Sequence, residues 1–318
     1  MGYSFPKPLI DINGKPMIQW VTENINAEAK FIFIVKKADY QKNINDTSES
    51  QYQMIKKLEL DRESHEELIK YSCDIGMNFI SSPFDHKSID LLDELNIPLY
   101  KIPSGEITNL PYLRHIGRMG KPVVMSTGMA TIEEVKAAMD VLLEAGVKKD
   151  DLTILHCNTE YPTPMEDVNL KAMLTIQNEL GVKVGYSDHT LGIEVPVAAV
   201  ALGASVIEKH FTLDRTLPGP DHAASLEPEE LNAMVAAIRN IEKAIGNGEK
   251  NPSPSEIKNI DVVRKSIVAG KSIKTGDVFS NENLIVKRPG NGISPMNWDK
   301  LIGTRAKREF DRDELIEI

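Results

Sequence analysis

The chain has only two cysteines, Cys73 and Cys157, far apart and in no C-x-x-C pair. That scarcity excludes a disulfide scaffold and fits free thiols in a reducing cytoplasm. No run of 18 apolar residues occurs, so no membrane span is expected. The N-terminus lacks the charged region and apolar stretch of a secretory signal. Neither G-x-G-x-x-G nor G-x-x-x-x-G-K-[ST] is present, so the nucleotide-binding fingerprints are missing. Positive charge is also scarce: 37 Lys and Arg stand against 47 Asp and Glu, a formal net charge of −10. A nucleic-acid surface needs a basic face to neutralise phosphates, so no nucleic-acid partner is expected. A small anionic substrate stays open, because a site responds to its local charges and not to the sum over the chain.

What is present is an ordinary globular composition. The 318 residues are 41% hydrophobic and 26% charged, with room for about two domains. From about residue 60 to 245 short apolar runs alternate with longer amphipathic stretches. The runs Asn78–Ser81, 99–102, Val123–Ser126, 153–156, 183–186 and 205–208 read as strands. Segments such as 131–145 and 226–245 read as helices, the first opening with Thr131 and Glu134 as a capping box. Strand alternating with helix implies parallel βα units, in an open doubly wound sheet or a closed (β/α)8 barrel. The strand ends favour the barrel. They carry Ser81, Ser82 and Asp85; Lys101, Ser104 and Glu106; Ser126, Thr127 and Gly128; His156, Thr159 and Tyr161; Ser187, Asp188 and His189; and Glu208 and His210. Polar groups at the C-terminal ends of successive strands are what a barrel's active face requires.

Around 246–255 the rhythm stops in a polar stretch broken by Pro and Gly, read as a linker. The remainder reads as a small β-rich domain with strands at Ser266–Ala269 and Leu284–Lys287 and an exposed loop at 288–292. The expected division is an atypical N-terminal segment at 1–42, a barrel at 43–247, a linker at 248–258 and the small domain at 259–318.

Several residue types at these strand ends carry chemistry. His189 and His210 lie at the ends of successive parallel strands, where two imidazoles could share a divalent metal or simply hydrogen-bond at a barrel rim. Asp188 and Glu208 beside them could orient the rings. Lys101 alternates with apolar residues, so it can point inward, where its charge needs either an anionic substrate group or an internal partner such as Glu106 or Glu208. Ser104, Ser126, Thr127 and Ser187 suit oxyanion or phosphate recognition, and equally suit turns and helix caps. Cys157 follows His156, but neighbours on a strand face opposite ways, which argues against a Cys-His nucleophile. The loop 217–222 could present Asp221 to a sugar hydroxyl or be a tight turn.

Seven motifs occur in order: Tyr100-Lys-Ile-Pro-Ser-Gly-Glu106, Met125-Ser-Thr-Gly-Met129, His156-Cys-Asn-Thr-Glu-Tyr-Pro162, Gly185-Tyr-Ser-Asp-His-Thr-Leu-Gly192, Ile207-Glu-Lys-His-Phe211, Pro218-Gly-Pro-Asp221 and Val286-Lys-Arg-Pro-Gly-Asn-Gly292. Together they closely resemble the bacterial sialic acid synthases, from about Ala38 to the C-terminus. The resemblance implies a TIM-type (β/α)8 barrel followed by an antifreeze-like (SAF) domain. It also implies condensation of phosphoenolpyruvate with N-acetylmannosamine and water to N-acetylneuraminate, releasing phosphate. In such enzymes the C–O bond of phosphoenolpyruvate breaks. His189 and His210 match ligands of Mn²⁺ or Mg²⁺. Lys101, Ser104, Ser126 and Ser187 match positions holding the phosphoenolpyruvate carboxylate and phosphate. Tyr161, Glu208 and Asp221 match groups near the amino-sugar, with Lys101, Glu208 and Tyr161 expected to be catalytic. Thr159 stands where some relatives carry Asn. Arg288 matches an arginine that one subunit sends into the barrel of the other, against the N-acetyl group, which implies a domain-swapped homodimer.

The pattern breaks at the N-terminus. The family's first strand carries a catalytic glutamate in Ala-Glu-Ala-Gly-x-Asn-His and its second ends in Val-Lys-Phe-Gln; neither motif occurs. Residues 2–19, and on through Phe31-Ile-Phe-Ile-Val35, instead resemble a fragment of the sugar-1-phosphate nucleotidyltransferases, without that family's glycine-rich start. The barrel is therefore expected to be N-terminally incomplete, with segments 9–12 and 31–36 as substitute strands; Lys36 as a stand-in for the missing lysine is the less favoured reading of that residue, and nothing replaces the glutamate. Three readings follow: an N-acetylneuraminate synthase impaired by the change, a synthase of a related nonulosonic acid using a 2,4-diacetamido hexose, or a non-catalytic substrate-binding remnant.

Overall fold

The computed structural model describes residues 60–217 and 221–318, and the backbone of three short strands within the first 59 residues. The chain divides into two units, Met1–Gly246 and Asn247–Ile318.

In the first unit β1 (Asp11–Ile12) and β2 (Lys15–Pro16) pair antiparallel. β3 (Ile32–Val35) pairs parallel with β4 (Asn78–Ser81), Ile32 opposite Asn78 and Val35 opposite Ser81. So of the two expected substitute strands, only the second, at Ile32–Val35, joins a parallel ladder. Of the first, Asp11–Ile12 pairs antiparallel with Lys15–Pro16 in strands two residues long. Lys36 and the 36–59 stretch lie outside the described residues, as do 218–220.

Between β3 and the next ladder runs α1 (Arg62–Asp74), capped by the Asp61 carboxylate accepting from the Ser64 N–H. After β4 comes α2 (His86–Glu94), capped in the same way by Asp85. A separate five-stranded sheet follows, made of β5 (Tyr100–Ile102), β6 (Val123–Ser126), β7 (Leu152–Cys157), β8 (Lys183–Asp188) and β9 (Ile207–Lys209). All are parallel, and each is bonded to the next in sequence. Such an order has no topological switch point, so the sheet curls as a partial barrel and does not open as a doubly wound layer.

The helices between them are α3 (Leu110–Arg118), α4 (Ile132–Ala145), α5 (Lys171–Leu180), α6 (Glu194–Ala201) and, after β9, α7 (Pro228–Ile245). The Thr131–Glu134 capping box forms as expected. The core lies between sheet and helices. Tyr100, Ile102, Met125, Leu152 and Ile154 from the strands meet Ile89, Ile116, Leu142 and Met173 from the helices. Each such side chain contributes roughly 1.5–3 kcal/mol by leaving water.

The second unit opens with α8 (Pro254–Val263). β10 (Ser266–Ala269) and β11 (Leu284–Lys287) pair antiparallel, Ser266 opposite Lys287, at the bounds expected from sequence. Around them Ile267, Ile273, Phe279, Leu301 (in α9, Trp298–Leu301), Phe310 and Ile316 form a separate small core. No helix among the described residues is long and apolar enough to cross a membrane.

Candidate active site

Parallel strands running side by side bring their C-terminal ends to one rim. Alternation then decides which side chains face it. Ser187 and Glu208 are register partners on β8 and β9, so they share a face. The Ser187 hydroxyl donates to Glu208 Oε1 at 2.7 Å. Across the same face Lys101 donates to Ser126 Oγ at 2.8 Å, and its Nζ lies 3.3 Å from Glu208 Oε2. Of the two carboxylates weighed for Lys101, Glu208 is the partner. Glu106 sits in a turn past β5 and accepts from Asn109.

The Lys101 side chain is 5% exposed and that of Glu208 22%. Burial pushes the Glu208 carboxyl upward, but Lys101, the Ser187 hydroxyl and the imidazoles of His189 and His210 together outweigh it. They hold the group below the ordinary carboxylate range. Glu208 is therefore an ionised carboxylate whose Oε2 is buried and accepts no hydrogen bond among the described residues. It stands next to the one lysine of β5.

Beside it lie the rings. His189 and His210 have centroids 5.3 Å apart, edge to face, and Tyr161 covers His189 at 4.0 Å. The carbonyl of Asn158 lies 2.6 Å from His189 Nδ1. A carbonyl can only accept, so Nδ1 carries the proton and Nε2 the lone pair. His210 Nδ1 faces Asp221 Oδ2 at 3.8 Å, which favours the same tautomer. Two imidazoles oriented from behind by oxygen acceptors fit a divalent ion as two of its ligands. No group of three or more His, Cys, Asp and Glu side chains placed to hold a metal occurs among the described residues. An ion held here would take its remaining ligands from water and substrate oxygens.

Asp188 does not orient the imidazoles as the sequence suggested. It is fully buried behind them, accepting from Thr190 and from Lys209. Strand alternation explains this: Ser187 and His189 face the site, and Asp188 faces away with Lys209.

A second cluster adjoins the first. Ser104 Oγ accepts the Gly128 N–H at 2.9 Å and lies 3.3 Å from Cys157 Sγ. Thr159 completes it, since a Cβ on Gly128 would come 2.5 Å from Thr159 Cγ2. His156, by contrast, bonds the Val168 carbonyl and packs on Tyr186, facing the helices. Ser81 pairs with buried His65, and Asp85 caps α2, so neither joins the site. Arg288 lies in the second unit, its Nε donating to the Val263 carbonyl.

Sequence reasoning missed two contributors. The Asn158 carbonyl carries no side-chain signature. Cys157 was set aside as a nucleophile, although the alternation that turns His156 away turns Cys157 inward.

Comparison with known proteins supplies the setting. Residues 23–250 match the NeuB family and residues 264–317 the SAF domain. The N,N'-diacetyllegionaminic acid synthase of Campylobacter jejuni is 53% identical over 281 residues, covering 88% of this chain and 84% of that protein. The protein of the same name from Legionella pneumophila is 47% identical over 273 residues, covering 85% and 77%. Among solved structures, the N-acetylneuraminic acid (sialic acid) synthetase of Leptospira borgpetersenii is 31% identical. It covers 76% of this chain and 84% of that chain, at a TM-score of 0.66.

Proposed function

Because the chain belongs to the NeuB family, with a SAF domain following, we propose that it is a nonulosonic acid synthase of the N,N'-diacetyllegionaminic type. Phosphoenolpyruvate and a 2,4-diacetamido hexose would be its substrates. The carrying observation is the 53% identity to a synthase of that name. Relatives named for N-acetylneuraminate or its 9-phosphate stand lower, at 31% and 35%, so N-acetylmannosamine gives way to the diacetamido acceptor. The enzyme class proposed is a phosphoenolpyruvate-dependent, C–C bond-forming transferase.

In this reading C3 of phosphoenolpyruvate attacks the aldehyde carbon of the open-chain sugar. Water adds at C2, the C2–O bond breaks and phosphate leaves. Lys101 and Ser126, already bonded to each other, and Ser104 on the adjoining loop hold the carboxylate and phosphate by charge and hydrogen bonds. Glu208, ionised and opposite Lys101, is placed to take a proton from the incoming water. Ser187 holds Glu208 in that orientation. Tyr161 and Asp221, beside the imidazoles, line the sugar's side, with Thr159 nearby. His189 and His210 would hold Mn²⁺ or Mg²⁺, which when bound supplies a Lewis acid for the aldehyde oxygen. A homodimer in which Arg288 serves the partner's site, in the cytoplasm, belongs to the same proposal.

The test is phosphate release from phosphoenolpyruvate with Mn²⁺ and each acceptor in turn. Faster, acceptor-dependent release with the 2,4-diacetamido hexose supports the reading. Equal or faster release with N-acetylmannosamine returns it to the sialic acid type. One observation favours a second reading, a non-catalytic remnant: the family's first-strand glutamate motif is absent from the sequence. Phosphoenolpyruvate binding without turnover in a folded sample would support that.

A further inference from the structure

Cys157 ends β7 and is 5% exposed, and its polar partner among the described residues is Ser104 Oγ at 3.3 Å. Ser104 is half-buried, and its oxygen already accepts the Gly128 N–H. The loops after β5, β6 and β7 meet at this point with no spare room. A Cβ on Gly128 would lie 3.0 Å from Ser104 Oγ and 3.3 Å from Cys157 Sγ, besides its clash with Thr159. The three groups are thus held against one another.

A serine hydroxyl has two lone pairs and one proton. Gly128 occupies one lone pair. The remaining choice is whether the hydroxyl donates to sulfur or the thiol donates to oxygen. Sulfur is a weak acceptor, and the hydroxyl, at the partly open rim, has water or an oxyanion to reach. Among the described residues the buried thiol has only Ser104 Oγ to receive its proton. The stronger donor therefore goes to the stronger acceptor.

We propose that Cys157 is a positioning residue. Its S–H donates to Ser104 Oγ, fills the second lone pair and so aims the Ser104 hydroxyl proton at the anionic substrate. That the anion is phosphoenolpyruvate rests on the function proposed above; the direction of the Cys157–Ser104 bond does not. The residue acts through Ser104, without attacking substrate or changing its own covalent state.

The protein's two thiols make the bond direction measurable. Cys73 is exposed, so Cys73→Ser leaves only the Cys157 S–H stretch in the infrared spectrum. A donating thiol gives a band below that of a free thiol, and Ser104→Ala moves it back up. A band at the free-thiol position that ignores Ser104→Ala overturns the proposal. The second arm is phosphoenolpyruvate affinity, by calorimetry and by KM. Cys157→Ala is expected to weaken it roughly three- to tenfold, the range of one lost hydrogen bond, with kcat nearly unchanged. Cys157→Ser, which keeps a donor, is expected to restore it. Wild-type affinity in Cys157→Ala also overturns the proposal. A shifted band in a wild-type protein that binds no phosphoenolpyruvate confirms the bond direction and overturns the substrate reading instead. The infrared arm uses no Cys157 variant, so it stands even if Cys157→Ala fails to fold.

Discussion

At the residue scale, Lys101 and Glu208 depend on each other. Both are largely withdrawn from water, and each is the other's counter-charge across the face of the sheet. Lys101→Met would leave Glu208 ionised and unpaired, which costs about 3 kcal/mol. The expected outcome is a clear fall in the denaturant midpoint, mostly regained in Lys101→Met/Glu208→Gln. Activity would stay lost in both. Equal midpoints for the single and double variants would show that the pair is not coupled. Lys101 was legible as an inward-facing cation from its place between Tyr100 and Ile102. Its partner was not. Glu106 is near in sequence and Glu208 more than a hundred residues away; β5 and β9 are the two edges of their sheet, and only its curl brings them within reach of each other. The same holds for Asp188, whose role turned on which face of β8 it occupies.

At the element scale, the apolar runs located the strands well. Asn78–Ser81, Val123–Ser126, Ser266–Ala269 and Leu284–Lys287 coincide with the expected bounds, and the other four differ by one or two residues at one or both ends. Periodicity reports which residues a sheet will bury; it does not report how closely two strands approach. That information sits in Gly185. A Cβ there would lie 2.3 Å from the Val206 carbonyl oxygen and 2.6 Å from Leu155 Cδ2. Gly185→Ala must push β8 away from the residues leading into β9, the two strands carrying His189 and His210. Such overpacking costs roughly 1–3 kcal/mol, or about 2–4 °C in Tm per kcal/mol for a unit of this size. Scanning calorimetry should show that drop. Gly105→Ala, whose added Cβ meets nothing within 4 Å, should leave Tm within a degree or so. A Gly185→Ala melting curve matching that of Gly105→Ala would mean the strands have slack that the distances deny.

At the scale of the whole molecule, the N-terminal segment is where this chain departs from the motifs it otherwise shares with the synthases it resembles. β3 supplies a parallel neighbour for β4, which covers an edge that would otherwise be open. A strand's backbone can be replaced by any run of the right polarity, because the ladder is made by N–H and C=O groups that all residues share. A catalytic carboxylate cannot be replaced that way. Replacing residues 1–36 with two strands bearing the Ala-Glu-Ala-Gly-x-Asn-His and Val-Lys-Phe-Gln motifs is therefore expected to raise acceptor-dependent phosphate release, roughly a hundredfold if general acid–base help is what is missing. An unchanged rate would show that the chain is not impaired by that segment. The sequence by itself determined the alternation of strand and helix, the separate C-terminal unit and the family, since local polarity and ordered motifs are properties of the chain alone. Only the tertiary structure decided that Glu208 answers Lys101, that Asp188 turns its back on the imidazoles and that Cys157 meets Ser104. Each turns on which face of a strand a side chain takes, or on how near two stretches distant in the chain are brought, and both are set by the curl and register of the sheet.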